Sequence, residues 1–530
     1  MISAHVDSFV RDRLPSAEAQ PEFLFDRPEL QYPDRLNAAV ELIGRADPET
    51  LAILNDKGAW TCGEMDDLSD LIARLLVDQE GLVPGNRVLL RGPNNAMLFA
   101  SWLGVLKAGG VVVATMPILR AGEIETIIER AEISHSIIDA RCLEDYRPAH
   151  EKTGKIRSLL TYEGDAGTGD LEAKLKSVAP GFKAVETHRD DPALIAFTSG
   201  TTGKPKGCVH YHRDILASAD AFAGNILKPL PGDRWACSAP IAFTFGLGQA
   251  LIFPWRFGGT AVTIETPNPA ALLDAVRRHK VTILATAPTA YKAMLGFIED
   301  RDVAHLRVCV SAGEHLPAAT WHDWKEATGI SIVDGIGATE MMHIFISASG
   351  EDIRPGATGK AVPGYRACVV DDDGQILPPP ADGRLAVKGP TGCRYFDDER
   401  QSAYVQKGWN LTGDTYRQDG EGYFWYLARS DDMIISSGYN IAAPEVENAL
   451  YTHPSVQECA VIGIQCEERG QKVKAYVVAS VPVSETELQD HVKKAIAPYK
   501  YPREIEFVDA LPRTATGKLQ RYALRDGQAR

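Results

Sequence analysis

The sequence predicts an α/β protein: a large N-terminal domain of parallel or mixed sheets flanked by helices, with a β-rich subdomain, followed by a small α+β domain. Three observations point there. Short apolar runs alternate with helical spacing up to about residue 360, paired strand patterns then take over, and the last hundred or so residues form a separate helix–strand mixture. These changes of texture divide the chain into an N-terminal domain over 1–430, its β-rich subdomain over about 360–430, and a C-terminal domain over 431–530.

The first forty or so residues are rich in proline and charge, and Phe23-Leu-Phe25 with Leu30-Gln-Tyr32 reads as a strap onto a larger body. Arg87-Val-Leu-Leu90 reads as a strand, and Asn94 or Asn95 can cap the helix that follows. In that helix Leu98, Trp102, Val105 and Leu106 recur at helical spacing. Gly109-Gly110 stops it before a second strand, Val111-Val-Val-Ala114, so the unit is β–α–β and its sheet parallel. The pattern recurs with strands at 234–238, 260–264, 281–285 and 307–310. Tyr365–Val370 and Gly383–Lys388, split by Asp371-Asp-Asp-Gly374, read as hairpin strands. Pro444 suits the first turn of a helix over 444–450, strands follow at 459–464 and 474–480, and Ser484-Glu-Thr-Glu487 opens a helix with Leu488, Val492 and Ile496 on one face.

The bulk numbers bound the partners. Hydrophobic content of 45% and charged content of 24% suit a globular chain, and 530 residues exceed one ordinary domain. A net charge of −15 argues against nucleic acid or an anionic membrane as partner. The nine cysteines include no Cys-x-x-Cys pair, which suits free thiols in a reducing compartment. The opening Met1-Ile-Ser-Ala-His-Val-Asp7 has no apolar core of a signal peptide, and no apolar run approaches the ~20 residues of a membrane span. The expected location is the cytoplasm.

The stretch Phe197-Thr-Ser-Gly-Thr-Thr-Gly-Lys-Pro-Lys-Gly207 follows a buried-strand pattern, Ala193–Ala196. Gly200, Gly203 and Gly207 free the backbone to turn N–H groups toward one point, while Thr198, Ser199, Thr201, Thr202, Lys204 and Lys206 supply hydroxyls and ammonium groups for a polyphosphate. It is not a Walker A loop, because Gly203-Lys204 is followed by Pro205 rather than Ser or Thr. A plain surface loop rich in turn residues has the same composition. Asp334-Gly-Ile-Gly-Ala-Thr-Glu340, Leu411-Thr-Gly-Asp414, Arg429-Ser-Asp431 and Leu511-Pro-Arg-Thr-Ala-Thr-Gly-Lys518 follow in order. Singly, each could be a turn or a solvated surface segment.

Together these five motifs resemble those of the adenylate-forming superfamily of acyl- and aryl-CoA ligases, adenylation domains and luciferases. The resemblance implies that superfamily's fold, with a mobile C-terminal domain, and ATP, Mg²⁺ and coenzyme A as cofactor and co-substrates. It implies a phosphate loop at Thr198, Ser199, Gly200, Thr201, Thr202, Gly203 and Lys206, with Lys206 near released pyrophosphate. It adds Gly313, Glu314, Asp334, Gly335, Ile336 and Gly337 to the nucleotide site, although Ile336 stands where a stacking Tyr is usual and Asp334 where Asn is. Thr339 is implied to touch the α-phosphate and Glu340 to hold Mg²⁺. Asp414 and Arg429 would take the ribose, Asp431 would be the hinge, Gly438 would line the CoA thiol's path, and Lys518 would reach the reacting phosphate as a catalytic group with Thr339 and Glu340. Ile435 replaces a Lys often found at its position.

Pro240-Ile-Ala-Phe-Thr-Phe-Gly-Leu-Gly248 and Met341-Met-His-Ile-Phe345 are similar to the benzoate-CoA ligase branch, in particular its 2-aminobenzoate-CoA ligases, as are Pro21–Tyr32 and Ser436–Ala442. The implied acid site contains Ala242, Phe243, Phe245, Gly246, Ile336, Gly337, His343 and Ile344. Phe243, Phe245, Ile336 and Ile344 can wall a flat slot, Gly246 and Gly337 can leave room for a ring, and His343 can sense an ortho substituent; each is equally open to an ordinary core role. The expected partners are an aromatic carboxylate, ATP and CoA, with a homodimer as one allowed assembly. Two other readings share the motifs: an enzyme loading an aryl group onto a carrier protein, and a non-catalytic binding protein on a ligase fold.

Overall fold

The helix Ala96–Lys107 sits between sheets and is buried on every side, Lys107 included. Asn95 caps its start, accepting from the Leu98 N–H at 2.9 Å, so of the two expected caps the second is used. A helix apolar all round belongs inside a layered protein, and each large side chain removed from water here stabilises by about 1.5–3 kcal/mol. Lys107 is tolerated because Asp66 and Asp70 of the neighbouring helix each accept from Nζ at 2.6 Å. That helix, Cys62–Asp78, comes so close that a Cβ on Gly104 would lie 2.8 Å from Ile72 Cγ2.

The computed structural model describes residues 3–44, 46–163, 169–198, 205–300, 303–429, 433–436, 439–466, 470–496, 498–513 and 519–525. Among these, six strands form one sheet in the order Ser158–Tyr162, His135–Asp139, Arg87–Arg91, Val111–Thr115, Pro192–Thr198, Lys206–Tyr211. The first five run parallel, and the last closes an antiparallel hairpin with its neighbour. A second sheet of nine strands has a parallel centre and antiparallel edges. Its strands Arg234–Cys237, Thr260–Val262, Ile283–Thr286 and Val308–Ser311 fall where the sequence places them.

Ile332–Gly337 is the point where that sheet changes direction. Its first half pairs parallel with Val308–Ser311, and its second half pairs antiparallel with Ile344–Ser347. The sequence suggests a strand ending at Val333 and then a turn; instead the strand runs on through Asp334-Gly-Ile-Gly337. A Cβ on Gly335 would lie 2.6 Å from Ile344 Cγ2, so the small residue lets the return strand close.

Beyond these sheets, Arg366–Val370, Ala381–Lys388, Val405–Gln406, Trp409–Gln418 and Phe424–Arg429 make an antiparallel five-stranded sheet. The last sheet joins Ile434–Ser436, Tyr439–Ile441, Val456–Cys466, Gly470–Ala479 and Glu504–Phe507. It is covered by helix Ala443–Tyr451, with Pro444 in its first turn, and by Glu485–Ala495, capped by Ser484. Leu488 and Val492 are buried, and Ile496, which caps the helix end, packs half-buried against the same core. The N-terminal segment is the expected strap: the Leu24 N–H donates to the Gly389 carbonyl at 2.9 Å, and Tyr32 Oη donates to Asp220 at 2.8 Å.

Candidate active site

The hairpin Pro192–Thr198/Lys206–Tyr211 holds the phosphate-loop motif at its turn, with Thr198 and Lys206 as the last paired residues. Ser199, Gly200, Thr201, Thr202, Gly203 and Lys204 lie outside the described residues. Lys206 donates from Nζ to Tyr395 Oη at 3.1 Å and lies 4.9 Å from that ring's centre. Tyr395 Oη in turn donates to Glu340 Oε1. Gly207 has a different reason from the one expected: a Cβ there would lie 2.1 Å from Phe396 Cε1, so it makes room for a ring rather than turning its N–H to a ligand.

Thr339 and Glu340 open the single tight turn Thr339–Met341 at the end of the Ile332–Gly337 strand. Thr339 is half-buried and Glu340 buried. Among the described residues no three Asp, Glu, His or Cys side chains converge on one point. One carboxylate with one oxygen taken by Tyr395 fits Mg²⁺, which takes one or two protein carboxylates and fills its octahedron with phosphate and water oxygens.

Asp334 is half-buried with one carboxyl oxygen unpartnered. Burial pushes its carboxyl up to about 8, and the Gly335 N–H and Ser311 offset this only in part. Asp414 and Arg429 face each other across adjacent strands, and Arg429 Nη1 donates to Asp414 Oδ1 at 3.2 Å. Gly413 has φ +77°, a left-handed conformation that suits glycine, and a Cβ there would lie 2.9 Å from Arg429 Nη2. Gly313, at φ +91°, turns the loop that presents Glu314, which lies 3.8 Å from Arg513. Arg513 also pairs with Glu458 at 2.9 Å and bridges Leu519, so the two ends of the segment carrying Lys518 meet there. Lys518, Asp431 and Gly438 lie outside the described residues.

Of the residues expected around the acid, Ala242, Phe243, Phe245 and Ile336 are half-buried and Gly337 is exposed, whereas Gly246, His343 and Ile344 are buried. His343 and Ile344 are thus covered by other side chains. The His343 ring stacks under Phe245 with centroids 5.6 Å apart and touches Phe222 and Phe253 at 5.2 and 4.5 Å. Neither of its ring nitrogens has a hydrogen-bond partner of good geometry. Burial lowers its pKa to about 3, so the ring is neutral. Gly246 and Gly337 each have a reason within the fold. A Cβ on Gly246 would lie 2.2 Å from the Pro240 carbonyl oxygen, and one on Gly337 would lie 2.9 Å from the His343 backbone, so both allow backbone to close on backbone.

Sequence reasoning misses Tyr395, His210, Asp214 and Arg394. Tyr395 has no motif of its own. His210 had a signal: Lys206, Cys208 and His210 alternate along one strand and therefore share a face.

Residues 41–395 match the family model described as AMP-binding enzyme, and residues 445–518 match that of the AMP-binding enzyme C-terminal domain. The chain is 37% identical to the benzoate–CoA ligase of Thauera aromatica over 515 residues, 94% of this chain and 97% of that one. It superposes on the anthranilate CoA ligase AuaEII in complex with anthranoyl-AMP with TM-score 0.89 and 34% identity, covering 94% of this chain and 99% of that one. For a benzoate CoA ligase from Burkholderia xenovorans LB400 the TM-score is 0.84 and the identity 32%, covering 92% and 99%.

Proposed function

The chain belongs to the AMP-binding enzyme family, and on that basis we propose that it joins 2-aminobenzoate, or a close benzoate analogue, to coenzyme A through an aryl-adenylate. It is an AMP-forming acid–thiol ligase. The observation that carries the choice of acid is His343: neutral, buried, with no hydrogen bond of good geometry, and stacked beneath half-buried Phe245. The packed floor of His343, Phe222 and Phe253 favours a flat ring over a long chain. The imidazole is uncharged, and displacement of the half-buried Phe245 ring that covers it would let a ring nitrogen accept from an ortho amino group, a pairing from which buried polar groups gain most.

In the first half-reaction the aryl carboxylate attacks the α-phosphate in line and pyrophosphate leaves. Positioning and electrostatics carry such a step. Thr339 offers its hydroxyl to the α-phosphate, Lys206 faces the leaving pyrophosphate, and Asp414 with Arg429 orients the ribose. Glu340 is the residue for Mg²⁺, which neutralises charge on the phosphate oxygens when bound. Lys518 supplies positive charge where it develops. In the second half the C-terminal domain turns about Asp431, the CoA thiolate attacks the acyl carbon along a path lined by Gly438, and AMP leaves with the electron pair of the broken bond. The cytoplasm, where ATP and reduced CoA are both present, is the compartment this chemistry suits.

ATP- and CoA-dependent turnover of 2-aminobenzoate, 2-hydroxybenzoate, benzoate and octanoate tests the reading. A hydrogen-bonding ortho group missing from the acid should cost about 10- to 150-fold in kcat/KM. Octanoate matching either aromatic acid would reject the aryl assignment, and a preference for plain benzoate would reject the ortho-amino part.

A further inference from the structure

The turn Thr339–Met341 is too short to fix its own orientation, and Ala338 before it offers no capping side chain. Three outside groups hold it. Tyr395 binds the Glu340 carboxylate, Thr391 Oγ1 donates to the Met341 carbonyl at 2.7 Å, and His210 Nε2 donates to the Thr339 carbonyl at 2.7 Å. Because a carbonyl only accepts, this bond fixes the proton on Nε2 and leaves Nδ1 facing Asp214 Oδ2 at 3.8 Å.

Behind His210 the polar chain continues into the core. Asp214 is fully buried and accepts from Arg394 Nη1 at 2.7 Å and from the Tyr211 N–H at 3.0 Å. The Arg394 guanidinium is itself fully buried and lies between the rings of Phe23 and Tyr211, 4.1 and 3.9 Å from their centres. Arg394 and Tyr395 are adjacent, and their segment pairs with the hairpin through the Val209 N–H to Arg394 carbonyl bond at 2.8 Å. One stretch of backbone therefore backs the turn twice, through Tyr395 on the carboxylate and through Asp214 and His210 on the carbonyl.

We infer that His210, backed by Asp214 and Arg394, is a positioning residue for adenylation: it holds the Thr339 carbonyl and so aims the Thr339 hydroxyl and Glu340 carboxylate at the nucleotide. The inference rests on the proposed roles of Thr339 and Glu340. It assigns a task to an ionic chain, His210, Asp214 and Arg394, that is wholly buried. The chain also ties the N-terminal strap, through Phe23, to the reacting end of the site.

The test compares His210→Leu, His210→Gln and Thr339→Val in separate half-reactions. His210→Leu should slow single-turnover aryl-adenylate formation by about 10- to 100-fold, the usual cost of losing a group that orients a site residue. Thioester formation from supplied aryl-AMP should stay close to the parent rate, and the KM for the acid should not move. Glutamine, which keeps a donor, should recover most of the adenylation rate. AMP affinity measured by calorimetry should weaken in the leucine variant and return in the glutamine variant. Parent-like adenylation in His210→Leu, or equal loss in both halves, overturns the inference. If Thr339→Val is impaired while His210→Leu is not, only the His210 role fails; if Thr339→Val is also parent-like, the reading of Thr339 fails with it. Should His210→Leu not fold, Asp214→Asn carries the same decision: a selective loss of adenylation supports the chain, and no loss or an equal loss rejects it.

Discussion

The two halves of the proposed site are built by opposite means. In the proposed nucleotide half, hydrogen bonds link Lys206 to Tyr395, Tyr395 to Glu340 and His210 to Thr339, with the backbone joining Thr339 to Glu340, and His210, Tyr395 and Glu340 are buried. In the proposed acid half, Phe245, His343, Phe222 and Phe253 meet ring on ring, and the one imidazole among them makes no hydrogen bond of good geometry. A connected polar network is costly to edit, because removing one member strands its neighbours. An aromatic slot changes with volume and with single polar contacts. On the proposed assignment, the reaction would be set in one half and the choice of acid could shift in the other.

The largest expected effect lies on the nucleotide side. Lys518→Ala should cut adenylation by about 10²–10³, as removal of one preorganised donor does, while thioester formation from supplied 2-aminobenzoyl-AMP stays near the parent rate. Asp431→Pro, which fixes φ at the proposed hinge, should show the opposite split. Single-turnover assays of each half decide; equal loss in both halves for both variants would remove domain alternation from the scheme.

Next come the partners of Glu340. Tyr395→Phe frees the carboxylate and should lower adenylation by about 10-fold or more, and Glu340→Gln should cost more and raise the Mg²⁺ needed for half-maximal rate. Mg²⁺ titrations of both variants test the ranking. If Tyr395→Phe proves as damaging as Glu340→Gln at saturating Mg²⁺, the hydroxyl has a further role.

On the acid side the effect should appear as a ratio. His343→Leu should reduce the preference for the ortho-amino acid over benzoate, measured as the ratio of their specificity constants, by about 10-fold, leaving the KM for ATP unchanged. A change in both acids alike would mean that His343 only fills space.

The smallest effect is a pH dependence from Asp334, between the two sides. Burial raises its carboxyl to about 8 in the fold, against about 4 for a free Asp. The folded state thus holds a proton that the unfolded chain has released. The contribution to stability is full below about pH 4 and is lost as pH rises toward about 8. Asp334→Asn should flatten that decline, so its thermal midpoint should gain on the parent most at alkaline pH. Parallel melting curves across the range would show no difference if the carboxyl is ionised in the fold.

Much of this was legible in the chain. The strand–helix alternation, the cap at Asn95, the hairpin strands near 366–388 and the Pro444 helix are local features, and local spacing records them. The glycine- and hydroxyl-rich motifs are local too, because a loop built to cup an anion would need special dihedrals and short donors within a few consecutive residues; residues 199–204 lie outside the described ones. The contacts that organise the site are not local. Lys206 and Tyr395 are 189 residues apart, Asp214 and Arg394 are 180 apart, and His210 and Thr339 are 129 apart. Only the closing of the sheets brings them to hydrogen-bond distance, and no period in the sequence encodes such pairs. The same holds for Gly207 and Gly246, whose missing side chains answer to Phe396 and to the Pro240 carbonyl. The local order of residues says which chemistry the loops can hold. Which buried partners aim that chemistry is settled by folding, because aim depends on groups that meet only once the chain has closed on itself.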